Sequence, residues 1–389
     1  MKVLTVNAGS SSLKFKIFDL IAESAVILSG EISNLNDATP GIFKLYDANH
    51  TKILHEDVKM GINPYDEALT LLLNCSEFKK ITINYIINRI VHGGDYTEIV
   101  ELDNLILAEL SKFNDVVPLH QPYNILIASK LLNFYPELAH FACFDTSFHH
   151  TIPLINRIYA LPWRYTTEYG IKKYGFHGLS YSYVNSQLAD IVGTKCSKDK
   201  WIIAHLGSGS SLCAIENGKS IATTMGFSAM DGLPMMTRCG ELDPQIPLYL
   251  KLKFDLSIEE VLRILNKESG LYGICQVKDM QKMLKSPDDN AVLAVDFFCK
   301  QVASYIAKLC VHLGGLNGIV FTGGIGENSS IIREKICQHL KWLEVILDTG
   351  ANNGSTPIIS EKDSKITVLT LKTNEELAMI SALRNYFNE

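Results

Sequence analysis

The pattern strand, small polar turn, strand occurs twice in this chain, about half a chain length apart. Residues 4–18, LTVNAGSSSLKFKIF, fall on residues 203–217, IAHLGSGSSLCAIEN, at an offset of 199. Ser11, Ser12 and Leu13 coincide with Ser210, Ser211 and Leu212. Identity is otherwise low, and Gly/Ser turns resemble one another by chance. Two copies at this spacing still point to a duplicated domain, in which a cleft between the halves would face both turns.

The rest of the chain alternates strand and helix patterns around these copies. Val3–Val6 and Phe15–Phe18 read as strands flanking the first turn. NYIINRIVHGGD (84–95) is an apolar run that ends at Arg89–Val91. Segments 122–134 and 290–313 have helical periodicity. HFACFDTSFHH (140–150) reads as a buried strand running into a polar site. Residues 201–224 read as three strands joined by turns, and 317–336 as strand, glycine turn and helix. This alternation implies an α/β protein, and a chain of 389 residues fits two or three domains.

Composition excludes several classes. Net charge is −6 with a pI near 6.0, which argues against a nucleic-acid partner or a polybasic membrane surface. No run of 18 apolar residues is present, and the apolar run before Asn7 is too short for a signal sequence. The nine cysteines form no C-x-x-C, which reads as reduced thiols in a cytoplasmic protein.

Three strand-end turns carry the candidate chemistry. In the first, small residues allow backbone N–H groups to approach an anion, with Asn7, Ser10, Ser12 and Lys14 as polar neighbours. A decorated hairpin and a phosphate cradle both fit this turn. The others are HLGSG (205–209) and GGIGEN (323–328), neither a Rossmann nor a Walker fingerprint. Arg89 lies at the end of an apolar run just before His92, Gly93 and Gly94, Arg238 sits in a segment rich in Gly and Pro, His177 lies next to Phe176 and Gly178, and Asp145 follows FACF. An arginine fork suits phosphate or carboxylate, although a structural ion pair would give the same sequence. No Cys/His spacing fits zinc and no G-x-S-x-G elbow occurs, whereas magnesium would suit bound phosphates.

Taken together, VNAGSSSLKF (6–15), RIVHGGD (89–95), PLHQPYNI (118–125), FDTSFH (144–149), YGFHGLS (174–180), HLGSGSSL (205–212), MGF (225–227), DGLPMMTRCGELDP (231–244), FTGGIGEN (321–328) and TNEEL (373–377) resemble the acetate kinase family. That family sits in the superfamily of acetate and sugar kinases, heat-shock proteins and actin. The resemblance covers nearly the whole chain. It implies two duplicated actin-like (ribonuclease H-like) domains, with mixed sheets flanked by helices and an interdomain cleft. The domains would be 1–148 plus 374–389, and 149–373. It also implies a homodimer that transfers the γ-phosphoryl of ATP reversibly to a short-chain carboxylate, with Mg²⁺ or Mn²⁺.

The resemblance also implies residue roles. Asn7 and Glu375 would sit at the metal. Ser10, Ser12 and Lys14 would belong to the phosphate turn. Arg89, Asp145, His177 and Arg238 would be catalytic, with His120 and His205 nearby. His205, Leu206, Gly207, Ser208, Gly209, Asp279, Met280, Gln281, Gly324, Ile325, Gly326, Glu327 and Asn328 match the nucleotide-contacting segments. Val91, Leu119, Phe176 and Ala229 match the acyl pocket.

The chemistry agrees with these roles. A carboxylate acceptor, with a pKa of about 4–5, is ionised at neutral pH and needs no general base. It needs relief from anion–anion repulsion and in-line geometry. Arg89 would clamp the acceptor, while Arg238 and His177 stabilise the moving phosphoryl. Asp145 and Glu375 would orient the metal. Four positions depart from the family pattern: Ser208 for Asn, Met236 for Gly, Gln281 for Arg and Ala229 for Pro. Ala229 would enlarge the pocket enough to admit propionate beside acetate. Two alternatives accompany this reading. One is a kinase that prefers propionate or butyrate. The other is a nucleotide-binding regulatory protein with weak catalysis.

Overall fold

A computed structural model describes residues 1–9, 11–21, 25–35 and 39–388. Contacts divide the chain into two units, Met1–Ser147 with Asn374–Glu389, and Phe148–Thr373.

Unit one is built on an eight-stranded sheet. Its strands are β1 (Lys2–Ala8), β2 (Ser12–Asp19), β3 (Ala25–Ser33), β4 (Gly41–Asp47), β5 (Lys52–Val58), β6 (Tyr85–Ile90), β7 (Val100–Glu101) and β8 (Ala139–Phe144). Their spatial order is β5-β4-β3-β2-β1-β6-β8-β7. In β2, buried Leu13, Phe15 and Ile17 alternate with Lys14 and Lys16, so its apolar set faces the core. Leu4, Val6, Phe15 and Ile17 pack with Leu69 and Leu72 of the helix Pro64–Asn74 and Leu131 of the helix Gln121–Phe134. The helix Glu375–Asn388 joins this unit from the far end of the sequence. Its Tyr386 and Phe387 rings lie against Phe141 and Tyr85.

Unit two has strands β9 (Lys200–Leu206), β10 (Ser210–Glu216), β11 (Lys219–Thr223), β12 (Gly318–Thr322) and β13 (Thr367–Thr370), in the order β11-β10-β9-β12-β13. Strand β9 is buried on both faces, as a central strand between two helix layers must be. Trp201 and Ile203 pack with Tyr181, Val184 and Leu188 of the helix Gly178–Val192. Ile202 and Ala204 pack in the cluster that contains Val295, Phe298 and Val302 of the helix Asp289–Leu313.

The order β11-β10-β9-β12-β13 repeats β3-β2-β1-β6-β8, including antiparallel pairing of the first three strands and parallel pairing of the last two additions. The duplication seen in the two polar turns therefore extends to the whole central sheet. The hairpins differ at their tips. Ala8 pairs with Leu13, leaving residues 9–12 in the first turn, whereas Leu206 pairs with Ser210, leaving 207–209 in the second. Expected strand and helix segments are all present, with one difference at 323–328. The glycine turn after β12 is itself a short helix, Gly323–Asn328.

Candidate active site

Unit one gathers Arg89, Asp145, Asn7 and Glu375. Arg89 lies one residue from the end of β6, Asp145 directly follows β8 and Asn7 is near the end of β1. These strands are adjacent in the sheet, so their carboxyl ends bring the three side chains together. Glu375 opens the helix Glu375–Asn388, whose first amides Asn374 caps by accepting from Leu377 N at 3.1 Å. The Arg89 guanidinium donates Nε to Asp145 Oδ1 at 2.8 Å and Nη2 to Asp145 Oδ2 at 2.6 Å. Its Nη1 donates to Glu375 Oε2 at 2.6 Å and to Asn7 Oδ1 at 3.3 Å. Burial opposes the Arg89 charge, but Asp145 and Glu375 outweigh it and hold its pKa above the ordinary value. Glu375 is raised by burial, against the pull of Arg89 and with the push of Asp145 and Glu376. The paired edge of Arg89, expected from sequence to clamp a substrate carboxylate, faces Asp145 instead.

The first polar turn joins β1 and β2, and the carbonyls of Ala8, Gly9, Ser11 and Ser12 each accept a hydrogen bond. Asn124 donates to the Ala8 carbonyl at 2.7 Å, Tyr65 to that of Gly9 at 2.5 Å and Leu35 N to that of Ser11 at 3.0 Å. Gly9 N donates to the Ser12 carbonyl at 2.8 Å. Ser10, read as a phosphate contact, lies outside the described residues. Lys14 is half exposed and lies 3.7 Å from Glu31. His120 occupies the N-cap position of the helix Gln121–Phe134.

Unit two gathers His177, His205 and Arg238. His177 has a left-handed backbone, with φ of 59°, at the start of the helix Gly178–Val192. A non-glycine residue there is held by its surroundings. His177 Nδ1 and Ser211 Oγ are hydrogen-bonded at 2.7 Å, and Ser211 Oγ meets Tyr181 Oη at 2.5 Å. His205 Nδ1 and Ser180 Oγ bond at 2.8 Å. The two imidazoles stack with ring centres 4.3 Å apart. Gly209 lets the two side chains approach: a Cβ there would stand 2.9 Å from Arg238 Nη2 and 3.5 Å from His177 Nε2. Arg238 donates Nη1 to the Ala229 carbonyl at 2.7 Å. Among the described residues no carboxylate pairs with Arg238, and burial pushes its pKa down to about 10.

The glycine segments of unit two adjoin. Gly323 has φ of +77°, and a Cβ there would meet the Leu206 carbonyl oxygen at 2.8 Å. Gly324 and Ser208 are exposed, as are Asn328 and Gln281, whereas Gly326 is buried and Gly207 and Ile325 are half-buried. Met236 N donates to the Ser208 carbonyl at 3.1 Å, so two of the four departures from the family pattern touch through their backbones. Asp279 caps the helix Met280–Lys285 by accepting from Lys282 N at 2.7 Å, and Met280 packs into the core. Of that segment, Gln281 alone combines an exposed side chain with no capping role.

Val91 and Leu119 belong to unit one, and Phe176 and Ala229 to unit two. Val91 N donates to Asn124 Oδ1 at 3.0 Å. Sequence reasoning missed two supporting residues. His149, fully buried, bonds the Phe176 carbonyl at 2.9 Å, next to His177, and Ser220 Oγ at 2.9 Å. Burial pushes its pKa down to about 4. Arg333, also buried, donates to the carbonyls of Gly326 and Glu327 at 2.8 and 2.9 Å and to Asn352 Oδ1 at 2.8 Å. His149 stood in a recognisable motif, but nothing in the sequence separated a buttress from a ligand.

Comparison with known proteins adds an independent line. The profile of the Acetokinase family matches residues 2–381. An acetate kinase of Rickettsia typhi is 39% identical over 394 residues, covering 99% of each chain. The solved propionate kinase of Francisella tularensis has a TM-score of 0.88 and 34% identity, covering 98% of each chain. The solved acetate kinase of Porphyromonas gingivalis has a TM-score of 0.85 and 30% identity, covering 99% of each. The two-sheet α/β architecture is thus the actin-like fold of these kinases.

Proposed function

Since the chain belongs to the acetokinase family, we infer that it is a carboxyl-acceptor phosphotransferase that moves the γ-phosphoryl of ATP reversibly to acetate, giving acetyl phosphate and ADP. The observation that carries this reading for this chain is Arg238, a partly buried guanidinium without a counter-ion among the described residues, beside His177 and a glycine that admits close approach. A cation so placed is stabilised by an anionic ligand, and a phosphoryl group supplies one. Arg238 and His177 would stabilise charge on the equatorial oxygens during in-line transfer.

Arg89 serves the acceptor side. Four of its five N–H donors hold Asp145, Glu375 and Asn7, leaving one Nη2 hydrogen and the full positive charge for acetate. Asn7, Asp145 and Glu375 offer only oxygen donors. Among the described residues no cluster of three His, Cys, Asp or Glu forms a cage. Such a set fits Mg²⁺, which retains waters and binds phosphate oxygens, and which would neutralise charge on the nucleotide. The adjoining turns 205–209 and 323–328 would take the nucleotide phosphates.

The favoured acceptor is acetate. The active form is a homodimer, supported by the helix Gln245–Phe254, which buries no side chain and leaves Leu248, Tyr249, Leu252 and Phe254 exposed. Light scattering at micromolar protein should give twice the 43.3 kDa chain mass. The protein acts in the cytoplasm. All nine cysteines are free, and among the described residues no helix is long and apolar enough to cross a membrane. A coupled ADP-release assay tests the activity. Turnover that depends on acetate and is lost in Arg238→Ala is expected, and ATP turnover indifferent to acetate would refute it.

A further inference from the structure

Glu327 lies in the glycine segment that the family resemblance assigns to nucleotide contact, yet its carboxylate is directed elsewhere. Oε1 accepts from Gly323 N at 2.9 Å, from Thr322 Oγ1 at 3.2 Å and from Thr373 N at 3.0 Å. The first two bonds close the start of the short helix after β12. The third reaches Thr373, the last residue of unit two before the chain enters unit one. Glu375 follows two residues later and bonds Arg89 at 2.6 Å. Upstream, Leu371 N is held by the Phe321 carbonyl at 3.1 Å, and downstream Asn374 caps the helix. Leu371, Thr373 and Asn374 thus each take part in a hydrogen bond, and Glu327 supplies the only side-chain hold on Thr373 among the described residues. Arg333 holds the other end of the same segment through the Gly326 and Glu327 carbonyls, leaving the Glu327 side chain little freedom to turn away.

We propose that Glu327 is a positioning residue: it ties the start of the glycine turn to Thr373, two residues before Glu375 in the chain, rather than contacting nucleotide itself. A carboxylate suits this task because one oxygen can accept several N–H and O–H bonds at once. Misplacing a site group by about 1 Å can cost on the order of 10²-fold in rate, so the tie matters to turnover more than to nucleotide affinity. This inference rests on the reading that Glu375 serves the transfer.

Glu327→Ala and Glu327→Gln in the full chain would be compared by amide exchange of residues 371–376 and by steady-state kinetics. Loss of the tie should speed exchange at Thr373 by about tenfold, the equivalent of one hydrogen bond. It should also lower kcat by roughly 10- to 100-fold with the KM for ATP nearly unchanged. The Gln variant, which keeps an acceptor oxygen, should lie closer to wild type in both measurements. Unchanged exchange in Glu327→Ala, or a raised ATP KM with kcat intact, would overturn the proposal. If Glu327→Ala does not fold, Glu327→Asp, with the same charge and shorter reach, is judged by the same two readouts. Exchange decides the tie even where wild type lacks acetate-dependent turnover, so failure of the kinase reading is recognised separately.

Discussion

The two units each carry a partly buried arginine at the candidate site, and the two are treated oppositely. Arg89 is held by Asp145 and Glu375, which keep its pKa above the ordinary value. Arg238 has a carbonyl partner, no carboxylate among the described residues, and a pKa pushed down to about 10. A compensated cation organises its neighbours before any ligand arrives. An uncompensated one is a standing cost to folding that a bound anion removes. The contrast divides the labour: unit one fixes acidic and amide groups in place, and unit two keeps positive charge in reserve.

The largest expected effect is on stability in unit one. Arg89→Met leaves the buried Asp145 and the partly buried Glu375 carboxylates without their cation and should cost about 3–5 kcal/mol in urea unfolding. Arg238→Met should cost no more than about 1 kcal/mol, the worth of its bond to Ala229, while kcat falls on the order of 10²–10³. Equal destabilisation by the two variants would erase the contrast. Acid sharpens it in a third way. His149 in unit two has a folded pKa of about 4 against 6.5 unfolded, so the unfolded state binds the extra proton in that window. Its contribution is whole above pH 6.5 and is lost as pH falls toward 4, at up to about 1.4 kcal/mol per unit. Glu375, raised in the folded state, works with the opposite sign, since its protonation relieves a buried charge. Unfolding midpoints at pH 7 and 5 should therefore fall for wild type and fall less for His149→Gln. The smallest effect concerns the acyl group. Ala229 should allow propionate a kcat/KM about tenfold below that for acetate, the low end for one methylene. A gap beyond 200-fold would mean that the missing proline ring leaves no extra room.

Much of the fold could be read from the chain because period-two and period-3.6 patterns are local. The strands around Asn7 and His205, and the helices at 121–134 and 289–313, follow from neighbouring residues alone. The partners of Arg89 were nameable only through family likeness, since Glu375 lies 286 residues away and no local pattern joins them. Roles were harder still. Asp279, Glu327 and Asp145 are all acids beside turns, yet the first caps a helix, the second accepts from backbone amides and the third pairs with arginine. Which donor an oxygen meets is decided by tertiary packing, and composition carries no trace of it.

The late return of the chain to unit one has a consequence for biosynthesis. Met379, Ile380 and Leu383 are almost wholly buried, so the face they cover stays bare until the helix Glu375–Asn388 has left the ribosome. Phe148–Thr373 is by then fully translated and free to collapse, while the first-made half waits unfinished. Until that helix is made the nascent chain exposes sticky surface, which makes it a natural client for chaperones and makes loss of the helix Glu375–Asn388 far more damaging than its few residues would indicate.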